Sequence, residues 1–109
     1  MSSDNFIAYF GLCFEVNPDE IQGVELRSDY RIVAARKIGL KYYWGAFGDQ
    51  SRELLFIGHQ IGIFGGENAS YISLSLNDSV ILFENTKMKL KEAGFSKDPE
   101  LHLAWQPDI

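Results

Sequence analysis

Two histidines, a lone cysteine and fifteen carboxylates carry the widest chemical repertoire in this 109-residue sequence. His59 stands in the glycine-rich run Gly58-His59-Gln60-Ile61-Gly62-Ile63-Phe64-Gly65-Gly66. An imidazole there could ligate a metal or move a proton near neutral pH. A metal centre wants at least three ligands at reinforcing spacing, whereas His59 with Glu67, or His102 with Glu100, offers two. The run lacks the Lys-Ser or Lys-Thr that follows a phosphate loop, and it lacks G-x-G-x-x-G between a strand and a helix. It reads as a bulged strand and a turn. No metal and no cofactor is expected.

Nucleophilic and carboxylate chemistry is no better signalled. Cys13 lies in an apolar stretch, where a free thiol packs as a small hydrophobe, and as the sole cysteine it forms no internal disulfide. Asp19-Glu20 and Glu25 could furnish the two carboxylates of a glycosidase, but acids near a helix start are expected for the dipole alone. The signatures G-x-S-x-G and H-E-x-x-H are absent. Nothing in the sequence argues for an enzyme.

Residues suited to binding are more evident. In Tyr42-Tyr43-Trp44, with Phe47 close behind, strand alternation sends Tyr43 to the opposite face from its two neighbours. One core cannot hold them all, and Tyr and Trp are the residues that dominate protein interfaces. The formal charge of -5 would steer the chain towards basic partners. The expected function is that of a small acidic, non-enzymatic binding protein, such as an immunity-type or regulatory inhibitor, docking on a basic protein partner. Tyr43, Trp44, Asp49 and Glu67 are the expected contact residues, placed on a hairpin and on the glycine loop. Two alternatives stand beside it: a small-molecule-binding domain or enzyme with its site near His59 and the loop from Gly62 to Asn68, and a homo-oligomer joined through an open sheet face or edge.

Charge is unevenly spread. Residues 1–26 hold five acids and no base, and residues 27–41 hold five bases and one acid, so the two segments are expected to lie close and compensate. Arg27 and Arg31, followed by the aromatic triplet, make the best argument for nucleic acid, but the net negative charge disfavours it.

The elements that must position these residues follow from hydrophobic period and caps. Phe6 to Val16 is a long strand apolar on both faces, hence central and covered on each side, one option for the second cover being a partner chain. Asn17-Pro18 opens a short helix that Gly23 limits, and Ser28 caps a stronger one that Gly39-Leu40 closes. Lys41 to Phe47 and Glu53 to Gly58 form a hairpin through Gly48-Asp49-Gln50-Ser51, with Ile61 to Phe64 continuing it past a bulge or starting anew. Tyr71 to Leu76 alternates as a half-buried strand. Asn77-Asp78-Ser79 caps a helix that runs to about Ala93 and closes at Gly94-Phe95, its apolar stripe made by Val80, Phe83, Leu90 and Ala93. Leu101, Leu103 and Trp105 mark a last strand, with His102 on its polar outer face.

The expected fold is α+β, a mostly antiparallel sheet of five or six strands with two main helices in the order β-α-β-β-β-α-β, within one globular domain over residues 1–109. With 46% hydrophobic and 14% aromatic residues disorder is excluded, and no apolar run approaches the ~18 residues of a membrane span. The first five residues carry neither a basic region nor a signal-length apolar core, so a cytoplasmic location is expected.

Overall fold

The structure, a computed structural model, describes residues 4–48, 52–65 and 70–107. Strand β1 (Asn5–Glu15) is followed by a 3-10 turn (Pro18–Glu20), helix α1 (Ile21–Glu25) and helix α2 (Tyr30–Lys37). Strands β2 (Lys41–Phe47) and β3 (Arg52–Phe64) precede helix α3 (Leu76–Glu92) and strand β4 (Glu100–Gln106). The four strands form one antiparallel sheet in the order β2-β3-β1-β4. The α+β class and the antiparallel sheet agree with the sequence pattern.

β1 is central, as its double-sided apolar pattern requires. On one face Leu12 and Val16 join Leu55 and Ile57 of β3 beneath Val24 of α1, Ile32 and Ala35 of α2, and Leu90 of α3. On the other face Ile7 and Tyr9 pack with Phe47 and Phe56. No helix covers this second face among the described residues. The sheet covers it by curling. Gly11 and Gly58 pair directly across β1 and β3, where a Cβ on either one would overlap the carbonyl oxygen of Ile57 or of Phe10. Three residues away the register shifts from Ala8–Gly62 to Tyr9–Gln60, leaving Ile61 as an extra residue in β3. Bulges and closely approaching glycines sharpen strand twist. The coil brings the two sheet edges together at one end: the Gly48 N–H donates to the Trp105 carbonyl at 2.9 Å, and the Tyr43 hydroxyl donates to Gln106 Oε1 at 2.7 Å.

Three expectations are corrected. The sheet has four strands rather than five or six, because Ile61–Phe64 continues β3 past its bulge and because Tyr71 to Ser75 joins no ladder. Alternation in that segment gives it two faces, but a strand also needs a partner edge, and Leu76 already begins α3. Second, the first of the two helices expected between β1 and β2 is not ended by Gly23: α1 runs through Gly23 and stops at Arg27, which takes the left-handed φ of 59° usually left to glycine. Third, two caps shift: Asp29 rather than Ser28 accepts from Arg31 N–H at 2.9 Å, and Ser75 rather than Asn77 accepts from Asp78 N–H at 3.0 Å. The helix ends are as the sequence implies, with Gly39 and Gly94 at φ 79° and 93° and the N–H groups of Leu40 and Phe95 bonded back to Ala35 and Leu90.

The compensation of charge between the first two segments is partial and local. Arg31, only 4% exposed, meets both oxygens of Asp29 and reaches Glu20 at 3.2 Å, with its guanidinium over the ring of Phe14. That burial removes Arg31 from any phosphate-facing surface. No helix among the described residues is long and apolar enough to cross a membrane.

Candidate functional site

The four expected contact residues do not come together on one described surface. Tyr43 is half-buried in the inner face of the curl, edge-on to Phe47 at 6.0 Å and bonded to Gln106. Trp44 points to the opposite face and packs against the core under the helices, where its Nε1 is buried and has no hydrogen-bond partner among the described residues. Asp49 and Glu67 lie outside the described residues, as does the 66–69 part of the glycine loop.

Other groups singled out in the sequence settle into structural surroundings. Cys13 is half-buried and burial pushes its thiol up, which keeps it from being an activated nucleophile. Tyr9 is raised far more, by burial first and by its neighbour Tyr43 second, and its hydroxyl reaches Gln60 Oε1 at 3.3 Å. His102 sits on the inner face rather than outside, its Nε2 3.2 Å from the Gly11 carbonyl and its ring beside Phe56. Among the described residues no three His, Cys, Asp or Glu converge as a metal would need.

Two surfaces do stand out. The first is an apolar shelf. Register pairs Phe6 with Trp105, Ala8 with Leu103 and Phe10 with Leu101, so these side chains share the sheet face on which the helices lie. On that face Phe10 stacks on Phe83 of α3 at 4.1 Å. Towards the start of β1 and along β4 three large side chains are open, Phe6 at 54%, Leu101 at 53% and Leu103 at 75%, although Ala8 between them is buried. The flank of α3 that borders this open region carries Leu76 and Val80, seven and three residues before Phe83, and both are exposed. Five large apolar side chains are thus exposed on this side of the sheet and α3, and exposed apolar side chains grouped in this way mark interaction surfaces.

The second is a cleft on the opposite flank of α3. Lys41 and His59 from the β2–β3 pair face Asn85, Thr86 and Lys89 of α3 around a cavity of about 400 Å³. His59 also lines an adjoining apolar cavity of about 560 Å³ with Ile61, Ile72, Leu74 and Ile81. Partial burial first, then the two lysines, hold the His59 imidazole below its ordinary range.

Sequence reasoning missed the shelf because period-two alternation assigns Leu101 and Leu103 to a buried face without saying whether anything covers it. It missed Lys41 and Lys89 because each had a sufficient local reason, the first as a strand start and the second as a cation at a helix C-terminus. The histidine and the glycine run beside it were the legible part of the cleft. Compared with known protein families, curated proteins and solved structures, the chain matches none.

Proposed function

We propose that this chain is a non-enzymatic binding protein that docks on a partner protein through the apolar shelf, its surplus of acids drawing it to a basic-surfaced partner. The observation that carries the reading is the exposure of Leu101 and Leu103 on a sheet face buried elsewhere by helices. Removing such a surface from water gains roughly 25 cal/mol per Å² of apolar area, from which association subtracts its entropy and ordering costs. The overall charge of -5 supplies the long-range attraction. The same charge works against self-association, because two copies repel. An inhibitor that occludes a basic surface, of the immunity or regulatory type, fits this arrangement by class. Tyr43 and Trp44 then act from behind, bracing β2 within the curl and against the helices, while Asp49 and Glu67 remain contact residues of the proposal.

The test is native mass spectrometry of the protein isolated gently from its own source, beside a Leu103→Asp variant shown to be folded. The reading expects a stoichiometric protein partner with the native chain and its loss with the variant. A partner retained by Leu103→Asp, or a bare chain in both spectra, overturns it.

A second reading, a small-molecule-binding domain with its site at His59, is favoured by one observation, the pair of adjoining cavities that His59, Leu82 and Asn85 share.

A further inference from the structure

The two cavities beside α3 differ in character and meet at a common wall. One end is cationic. Lys41 and Lys89 converge on it from a strand and a helix, Asn85 adds an amide, and no carboxylate lines it among the described residues. Neither lysine has an ion pair among the described residues, although acids outnumber bases in the chain. The other end is apolar, walled by Ile61, Ile72, Leu74 and Ile81, with Asp78 its charged residue at the first turn of α3. Each cavity falls within the ~300–1,000 Å³ of ordinary ligand sites.

Bringing two lysines to one histidine costs free energy through repulsion, and both lysines oppose protonation of His59. An anion seated among them reverses the sign of that interaction. Its charge would be met by two ammonium groups, and its remaining lone pairs by the Asn85 amide and an N–H of His59. The apolar chamber next door has no use for a bare inorganic anion, but it would bury a hydrocarbon body attached to one.

We propose that this paired cleft binds a small amphiphilic anion, with its carboxylate or phosphate head between Lys41 and Lys89 and its apolar body along Ile61, Leu74 and Ile81. The site is separate from the docking shelf, since it opens on the other flank of α3.

The experiment follows backbone and histidine NMR signals while octanoate, octyl phosphate, acetate and 1-octanol are titrated in turn, all below their aggregation concentrations. Octanoate or octyl phosphate should give saturable shifts at Lys41, His59 and Lys89, and at Ile72 and Leu74. Whichever binds tighter identifies the head. Acetate and 1-octanol should each bind at least about 10-fold more weakly, since each lacks one half of the recognition. Lys41→Gln and Lys89→Gln should each weaken octanoate about 3- to 10-fold, the range of a charge-assisted contact at a partly open site. Leu103→Asp should leave octanoate binding unchanged. Equal affinity for acetate and octanoate, shifts confined to Leu101 and Leu103, or indifference to both lysine changes overturns the proposal. So does binding to phosphatidylglycerol vesicles without a saturable octanoate site, which would make the lysines a membrane-facing patch.

Discussion

Gly11 and Gly58 face each other across the β1–β3 pair so closely that neither position has room for a Cβ. That contact lets the sheet coil until β2 and β4 meet, and it sets His59, the next residue, at the edge of the cleft. Gly58→Ala should therefore cost about 2–4 kcal/mol of stability, because backbone rather than a flexible side chain must give way. Gly39→Ala, where nothing lies within 4 Å of the added carbon, should cost about 1 kcal/mol from its left-handed φ alone. Urea denaturation of the two variants checks the ordering, and equal losses would remove the close approach as the cause.

Asp29 both caps α2 and neutralises buried Arg31. Asp29→Asn leaves that guanidinium with Glu20 as its remaining ion-pair partner among the described residues, and should destabilise by about 2–4 kcal/mol at pH 7. The hydrogen bond from the Arg31 side chain, more than any other effect, holds the Asp29 carboxyl below its ordinary 3.8. A depressed carboxyl pKa adds stability above the unfolded value, and that stability is lost as pH falls below 3.8 and through the folded value. The gap between native and variant should narrow over that acid range in parallel denaturation curves.

His59 should titrate below 6.5 in a proton NMR experiment, through burial first and the Lys41 and Lys89 charges after it. Lys41→Gln and Lys89→Gln should each move it upward. Because the folded pKa is the lower one, the unfolded chain takes up the proton first on acidification. The His59 contribution to stability is thus complete above about 6.5 and declines as pH falls through the folded value. A His59 signal at or above 6.5 would mean that the lysines stand farther away than the cleft requires.

The class of fold was readable because it rests on local rules. The double-sided β1, the hairpin, and the glycine stops at Gly39 and Gly94 each act within a few residues of sequence. What escaped was tertiary. Tyr71 to Ser75 alternates like a strand but finds no partner edge, and His102, placed outside by alternation, is drawn under the curl that Gly11 and Gly58 permit. The shelf escaped for the same reason, since Leu101 and Leu103 carry a buried-strand pattern at the edge of the helix-bearing face, where they stay exposed. In the cleft, His59 was visible by its chemistry, whereas Lys41 and Lys89 meet it only through the packing of α3 on the sheet.

The most direct test of docking through the shelf places a photoreactive amino acid at position 103, at position 80, or at Tyr30, an exposed aromatic on α2 away from the shelf. Irradiation in the source cells, followed by mass spectrometry of the cross-linked peptides, reads which surface is covered. The account expects one basic protein joined at 103 and 80 and not at 30, with yield in extracts falling as salt rises. Joining at 30 alone, or at 103 to a second copy of this chain, would contradict it.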